Sequence, residues 1–157
     1  MLRGMTLLDA QQYDPVKARQ RRIRNTVAVV GVLGLALLGW MYRNWPEEHA
    51  VSSFFSALEK QHYEEAYGIY FHDSAWQQHA QKYSQYGYSD FYRDWGPGGE
   101  WGLVKSHRID CPVLLRLIGC PVSTRDGVLV EVIVNDRADR ARIFVQKSDK
   151  TLTVFPY

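Results

Sequence analysis

The sequence lacks the features that mark common enzymes and metal proteins. It has two cysteines, and no histidine or second cysteine pair lies at the spacing of a zinc site, so we predict neither a metal nor a cofactor. It contains no P-loop, no GxSxG, no HExxH and no dinucleotide-binding glycine motif. An internal repeat is also missing. These absences argue against the familiar enzyme classes, and we predict a protein without a catalytic site.

Charge is missing from one long stretch, residues 25–42, which reads NTVAVVGVLGLALLGWMY. Eighteen residues form a helix about 27 Å long, close to the thickness of a bilayer's hydrocarbon core. Bulky residues follow it instead of a small-x-small cleavage site, and no nearby cysteine is present to accept a lipid. We therefore predict a transmembrane helix at residues 25–44 that stays attached, in preference to a signal peptide that is removed.

The net charge of +2 is the sum of two unlike parts. Residues 1–24 have six basic and two acidic side chains, whereas residues 45–157 have twelve basic and fifteen acidic ones. Basic residues beside a span resist translocation, which predicts a cytoplasmic tail at 1–24 and a periplasmic domain at 45–157 of a single-pass bacterial inner-membrane protein. The residues that give this topology are Lys17, Arg19, Arg21, Arg22 and Arg24. The same run suits anionic lipid headgroups, and we favour that interpretation over a nucleic-acid partner.

Small residues recur within the predicted span. Ala28, Gly31 and Gly34 lie three residues apart and form one stripe of the helix. Such a stripe permits close packing against another transmembrane helix.

The two cysteines, Cys111 and Cys120, enclose the segment CPVLLRLIGC. An exported domain faces an oxidising compartment, where such a pair is normally joined. We predict a disulfide, with two buried thiols as the alternative.

The domain after the span begins with helical patterns. Ala50, Val51, Phe54, Phe55 and Leu58 predict an amphipathic helix, with Pro46 in its first turn and Asn44 as a candidate cap. Tyr63, Ala66, Tyr67 and Tyr70 predict a second helix. Ser74 and Gln77 form a capping-box pattern that predicts the start of a third helix, and residues 83–101 read as a short helix and a loop.

The second half of the domain has the alternation of strands. Val128, Val130, Val132 and Val134 share one face of GVLVEVIV, and RARIFVQK and TLTVFPY alternate in the same way. Residues 101–109 alternate too, which predicts a further strand. Helices followed by an antiparallel meander indicate an α+β domain with about three helices packed on a curved sheet.

The segment HAVSSFFSALEKQHYEEAYGIY, at residues 49–70, resembles the opening helices of the nuclear-transport-factor-2-like, or cystatin-like cone, superfamily. The strands GVLVEVIV, RARIFVQK and KTLTVFPY resemble the strands that close the cone, so the resemblance covers residues 47–157. It implies a cone-shaped domain. The superfamily includes ketosteroid-isomerase-type enzymes, which use an Asp or His inside the cone as a base, and many binding or assembly modules.

A basic tail, one span and an exported cone domain are similar in arrangement to the inner-membrane bridge subunit of type IV secretion systems. The membrane-associated partners of mycobacterial lipid-import complexes share this arrangement. In those families the module binds other proteins. The 113 residues from Trp45 onward are fewer than the secretion-system domain has, so the resemblance extends to the architecture alone.

Aromatic residues concentrate in the middle of the domain, where they are either core or a surface for a partner or ligand. The candidate surface is Tyr83, Tyr86, Tyr88, Phe91, Tyr92, Trp95 and Trp101.

Acid–base candidates are few. His72, Asp73 and His79 suit such chemistry, but a helix cap at Asp73 or Ser74 explains that position as well. His107 and Glu131 lie on predicted strands without evident partners. Asp90, Arg93 and Asp94 predict an exposed face with a local ion pair.

From these features we predict a non-catalytic, membrane-anchored accessory or assembly subunit of a bacterial inner-membrane protein complex. Its exported domain would contact integral-membrane partners. The alternative is an anchored small-molecule binder, or an isomerase or dehydratase, that uses the cone cavity.

Overall fold

The structure is a computed structural model that describes residues 15–112, 115 and 120–154. The chain forms two compact units, Met1–Trp40 and Met41–Tyr157. In chain order the helices are α1 (Pro15–Met41), α2 (Trp45–Glu59), α3 (Tyr63–Tyr70), a 3-10 helix (Trp76–Tyr83) and α4 (Tyr88–Trp95). The strands are β1 (His107–Ile109), β2 (Val122–Ser123), β3 (Gly127–Val134), β4 (Arg140–Gln146) and β5 (Leu152–Val154).

From Val27 to its end, helix α1 is apolar on all sides, and none of the residues of the helix is buried. Val27 and Leu35, for example, are 66% and 71% exposed. A helix with this composition is stable when its surroundings are apolar too. Among the described residues it contains one candidate membrane span, near the N-terminus.

The helix begins ten residues before the predicted span, so the basic residues from Lys17 to Arg24 lie on α1. The residues of the predicted cytoplasmic tail before Pro15 lie outside the described residues.

Helix α2 is amphipathic, as its sequence predicts. Val51, Phe54, Phe55 and Leu58 are fully buried and lie on one face. Asn44 occupies the N-cap position and a proline follows in the first turn, but the Asn44 side chain makes no capping hydrogen bond. Its Nδ2 instead donates to the carbonyl oxygen of Pro121 at 3.5 Å.

Helices α3 and α4 match their predicted positions, whereas the segment between them differs from the prediction. Residues 76–83 form a 3-10 helix that is kinked at His79, not an α-helix capped by Ser74 and Gln77. The start of the segment is fixed by Asp73, whose Oδ1 accepts a hydrogen bond from the backbone N–H of Ala75 at 3.0 Å. The predicted capping box is therefore wrong: the 3-10 helix has no side-chain cap, and Asp73 accepts the backbone N–H of Ala75.

The five strands form one antiparallel sheet, which is neither closed nor curled. Strand β3 lies between β4 and an edge made of β1 and β2, and β5 forms the other edge. Strands β3, β4 and β5 were predicted from the alternation of their residues.

The predicted strand at 101–109 is shorter than expected, since pairing begins at His107. The side chain of Asn135 explains the difference. Its Oδ1 accepts hydrogen bonds from the backbone N–H groups of Lys105 at 2.7 Å and Ser106 at 3.3 Å, and its Nδ2 donates to the carbonyl oxygen of Leu103 at 2.9 Å. These bonds hold the segment as a loop, and Leu103 is exposed.

Strands β1 and β2 are two parts of one edge strand. Ile109 pairs with Val132, and Val122 pairs with Leu129. Strand β3 thus advances by three residues while the edge advances by thirteen, and residues 113, 114 and 116–119 between the two parts lie outside the described residues. The disulfide between Cys111 and Cys120, with a Cα–Cα distance of 5.7 Å, joins the chain shortly after β1 to the chain shortly before β2. The predicted disulfide is present. Strand β2 was not predicted, because its two residues are too few to show an alternating pattern.

The core lies between the helices and one face of the sheet, where α2 packs on β1, β3 and β4. The strands contribute aliphatic side chains to this core: Val128, Val130, Val132, Val134, Ala141, Ile143, Val145 and Leu152. The helices contribute aromatic rings. On the other face, Gly127 leaves room for a ring, since a Cβ there would overlap Phe144.

Candidate functional site

The aromatic side chains that were candidates for a surface lie mostly inside the domain. Phe91 is fully buried, and Trp95, Trp101 and Tyr83 are 3%, 6% and 7% exposed. Tyr86 and Tyr88 are half-buried, and Tyr92 is 45% exposed. The structure therefore divides the predicted set into four core residues and three that reach the surface.

Tyr67 is the centre of the buried ring cluster. Its ring makes edge-to-face contacts with Trp76, Tyr88 and Phe91, at centroid distances of 4.7, 5.6 and 5.2 Å. Its hydroxyl donates to the carbonyl oxygen of Tyr86 at 2.8 Å. Burial raises the pKa of this hydroxyl, which links α3 to the residues just before α4.

A tyrosine patch, defined here as Tyr63, Tyr88 and Tyr92, forms the exposed side of the cluster. The rings of Tyr63 and Tyr92 meet edge to face at 5.0 Å, and those of Tyr88 and Tyr92 lie 6.3 Å apart. The sequence pointed to Tyr88 and Tyr92 but left out Tyr63, which belongs to the preceding helix. Beside the patch, Arg93 Nη1 pairs with Asp90 Oδ1 at 3.0 Å, the local ion pair that was predicted.

An open groove of about 860 Å³ runs along α2 and α3 and is called the α2–α3 groove below. Helix α2 contributes Trp45 and His49, whose rings stack at 5.0 Å. The β4–β5 turn contributes Lys150, whose Nζ pairs with the buried Glu47 at 2.6 Å. The remaining lining residues are Pro46, Ala50, Ser53, Glu64, Glu65, Gly68, Ile69, His72, Asp73, Ser74, Trp76 and Gln77.

The floor and rim of the α2–α3 groove differ in chemistry. A Cβ at Gly68 would lie 3.1 Å from the Asp73 carbonyl oxygen and 3.3 Å from the Trp76 ring, so glycine permits the turn after α3 to pack closely against the helix. The α3 side of the rim is acidic because Glu64 and Glu65 are both exposed there. The groove thus offers apolar surface beside two carboxylates.

Asp73 holds a small hydrogen-bond cluster at the end of this groove. Its Oδ2 accepts from the Tyr83 hydroxyl at 2.7 Å and lies 2.8 Å from His79 Nδ1. The bond from Tyr83 is the main cause that lowers the pKa of Asp73, and His79 and the Ala75 N–H add to it. These bonds link Asp73 to Ala75, His79 and Tyr83, so the observed role of Asp73 is to fix the turn after α3.

A second polar cluster joins α2 to β1. Ser52 Oγ lies 3.2 Å from His107 Nε2, and His107 Nδ1 lies 2.7 Å from Glu59 Oε1. The Phe55 ring stacks on the imidazole at 5.7 Å. The order serine, histidine, carboxylate is that of a serine-hydrolase triad. His107 was named from the sequence, whereas Ser52 and Glu59 were not.

The setting of this cluster does not suit acyl transfer. Ser52 is in the middle of α2, where backbone N–H groups bond within the helix and cannot form an oxyanion hole. Neither the α2–α3 groove nor the groove beside Asp149 and Thr151 is lined by Ser52, His107 or Glu59. The cluster therefore serves as a polar link between helix and sheet.

His107 and Glu131, both noted on strands, do not share a site. His107 faces α2, whereas Glu131 bonds across the sheet to Arg142, with Oε1 and Nε 3.2 Å apart. Residues 107 and 131 occupy opposite faces of the sheet according to the register.

Within the described ranges, no group of three or more His, Cys, Asp or Glu side chains could hold a metal ion. Comparisons of the chain with family models, curated proteins and solved structures gave no match.

The α2–α3 groove was missed in the sequence. The one available signal was the spacing of Trp45, His49 and Ser53, which places a second stripe on α2 beside the buried one. The stripe lines a groove only because α3 packs beside α2.

Proposed function

We propose that this protein is a membrane-anchored accessory subunit of a bacterial inner-membrane complex, with a periplasmic domain that binds a partner protein. The observation that carries the proposal is the contrast between an unburied apolar α1 and a packed domain that begins at Trp45. Helix α1 exposes its apolar side chains and suits a membrane, whereas the domain buries its own apolar side chains.

The charge distribution supports the orientation. Five basic residues lie near the N-terminal end of α1, and Arg43 is the single basic residue just beyond the other end. The Cys111–Cys120 disulfide is consistent with an oxidising compartment for the domain. Together these features favour a cytoplasmic N-terminus.

The packed interior favours a binding role over catalysis. Phe54 lies 5.0 Å from Trp95 and 6.1 Å from Phe91, so large rings occupy the space between helices and sheet that an enzyme of the cone type would use. The relation to the nuclear-transport-factor-2-like superfamily is part of this proposal, supported by the order of helices and strands.

The tyrosine patch is the proposed contact with the partner, an integral-membrane protein of the same complex. Tyrosine is enriched at interface hot spots because a rigid ring buries much area at a small entropic cost. Tyr92 is the most exposed ring of the patch, and its neighbours Tyr63 and Tyr88 hold it in place.

Site-specific photocrosslinking tests the proposal. A benzophenone amino acid replaces Tyr92 in the full chain, the bacterial host is irradiated, and adducts are extracted in mild detergent. We expect one integral-membrane protein to be recovered repeatedly, and Tyr92→Ala to lower its co-purification by about tenfold.

The control position is Lys105, which is exposed on a loop far along the chain from the patch. The same adduct at both positions would indicate a chance neighbour. No protein adduct from position 92 in membranes that contain the full-length chain would contradict the proposal.

A further inference from the structure

The α2–α3 groove has more negative than positive charge in its lining. Its ionisable lining residues are Glu64, Glu65, Asp73, Lys150, His49 and His72. Lys150 pairs with the buried Glu47 at 2.6 Å, so its charge is already matched. The two carboxylate oxygens of Asp73 bond to the Ala75 N–H, His79 and Tyr83. The groove therefore has two carboxylates, those of Glu64 and Glu65, that remain available to a ligand.

These two glutamates of α3 lack a permanently charged partner. Glu64 Oε2 accepts from Gln77 Nε2 at 3.2 Å, and Glu65 Oε2 lies 3.1 Å from His62 Nδ1. Among the described residues, neither carboxylate pairs with a lysine or an arginine, and both glutamates are exposed.

The surrounding charge has the same sign. Residues 45–100, which form the helices, have nine acidic and three basic side chains, a net charge of −6. Residues 101–157, which form the strands, have nine basic and six acidic side chains, a net charge of +3. The field of the helical half thus attracts a cationic ligand to the groove.

Apolar surface lies directly beside the two carboxylates. Trp45 and Pro46 of α2 line the groove, as does Ile69 of α3, and Trp45 is 54% exposed. The Trp76 ring forms part of the wall, and its Nε1 donates to the carbonyl oxygen of Glu64 at 3.1 Å. Glu64 therefore fixes an apolar ring and presents a carboxylate at the same place, which suits a ligand with apolar and cationic groups side by side.

Polar side chains along the walls favour a polypeptide over a lipid tail. Ser53, His72 and Ser74 line the groove with hydrogen-bonding groups. An acyl chain would cover these groups without replacing their bonds to water, which is unfavourable, whereas a peptide has backbone N–H and C=O groups to offer. The groove follows α2 from Trp45 to Ser53, about 12 Å of helix, which equals about four residues of extended chain.

The groove adjoins the tyrosine patch. Trp76 lines the groove, and its ring stacks on that of Tyr88 with a centroid distance of 5.3 Å. Tyr63 of the patch immediately precedes Glu64 on α3. A protein that contacts the patch can therefore extend a short segment into the groove.

We propose that the α2–α3 groove binds a short segment of a partner protein in which apolar side chains stand beside a lysine or an arginine. The apolar side chains lie against Trp45, Pro46 and Ile69, and the cation pairs with Glu64 or Glu65. This inference names the chemistry of the partner, and so it rests on the proposed function that a protein binds this domain. An acidic segment is excluded, because its charge would face the two carboxylates.

Defined peptides test the groove on the full chain in nanodiscs of phosphatidylcholine. The probe is the fluorescent peptide GLKLKLG, and its counterparts are GLELELG, which reverses the charge, and GSKSKSG, which removes the apolar side chains. Fluorescence anisotropy, corrected with empty nanodiscs, measures the binding. We expect each counterpart to bind about tenfold more weakly than GLKLKLG, because each lacks one of the two required features.

Two pairs of substitutions form a matched set. Glu64→Gln with Glu65→Gln removes two charges from the groove, and Glu100→Gln with Asp139→Asn removes two charges from exposed positions elsewhere. The first pair should weaken GLKLKLG binding by about tenfold, and the second by no more than about twofold. A benzophenone amino acid in place of the exposed His49 should give an adduct with GLKLKLG, and one in place of Lys105 should not.

Equal affinity for the basic and acidic peptides would overturn this inference, as would equal weakening by the two pairs of substitutions. Adducts at position 49 that map to lipid instead of the peptide would show a lipid site and overturn it too. A partner adduct at position 92 without peptide binding in the groove would overturn this inference and leave the proposed function standing. Peptide binding in the groove without any adduct at position 92 would support the groove and contradict the proposed contact at the tyrosine patch.

Discussion

The helical and strand halves of the domain are built from different residues. Residues 45–100 contain fourteen of the 21 aromatic side chains, whereas residues 101–157 contain four and supply most of the buried valines. Large rings from the helices thus pack against small, stiff aliphatic side chains on a sheet. The strand half also has the disulfide and the positive charge. Each half is incomplete alone, and the contacts between them hold the fold together.

The largest expected effect comes from the rings of the helical half. Phe54 is fully buried and contacts Phe55, Tyr70, Phe91 and Trp95. Phe54→Ala should lower the free energy of unfolding by about 3–5 kcal/mol, because it leaves a cavity as well as losing buried area. Denaturant titration of the full chain in detergent measures this. The conservative control, Phe54→Leu, should cost less than half as much.

The disulfide is the next test, and it acts on the strand half. Cys111→Ser with Cys120→Ser should lower the free energy of unfolding by about 2–3 kcal/mol, since the unfolded chain regains the freedom of a ten-residue loop. If the disulfide stabilises the strand half in particular, amide hydrogen exchange in this variant should rise first at β1 and β2. Uniform exchange across the domain would show that the disulfide does not stabilise this edge in particular.

A smaller effect is expected at a contact that joins the halves. Lys150 is 32% exposed in its side chain and pairs with Glu47, which is 6% exposed. Lys150→Met leaves a buried carboxylate without this partner and should cost about 1–2 kcal/mol after allowance for solvent near the lysine. Adding Glu47→Gln should recover part of the loss. A double variant less stable than the single one would contradict this account of the pair.

The smallest effect concerns pH and the helical half alone. Hydrogen bonds lower the pKa of Asp73 in the folded state, so its contribution is present above the unfolded pKa and is lost as pH falls through the folded pKa. The unfolded state binds the proton more readily in that acidic window, and stability therefore rises with pH there. Asp73→Asn should flatten this part of the pH profile of unfolding. An unchanged acid limb would show that the Tyr83 and His79 bonds do not act on Asp73.

Local pattern predicted the elements whose sequence repeats regularly. The spacing of Val51, Phe54, Phe55 and Leu58 defines α2, and the alternating valines define β3, because each pattern matches one backbone period. Patterns failed where a distant or competing side chain decides the backbone. Asn135 turns residues 101–106 into a loop, and Asp73 replaces Ser74 at the start of the 3-10 helix.

The candidate site was predictable only in part, for the same reason. The sequence identified Tyr88 and Tyr92, but Tyr63 joins them through the packing of α3 beside α4. The α2–α3 groove and the Ser52–His107–Glu59 link both require residues brought together by the tertiary fold. Composition predicted the candidate membrane span, because eighteen uncharged, mostly apolar residues form a helix long enough to cross a bilayer.

The most direct test of the central claim is a topology measurement on the full chain in bacterial membranes. Alkaline phosphatase, which folds only outside the cytoplasm, is fused after Tyr157, and the membranes are washed with carbonate. The account predicts an active fusion of full length that stays in the washed membrane, with Cys111 and Cys120 protected from thiol labelling until they are reduced. An inactive fusion, or a shortened chain released into the soluble fraction, would contradict it.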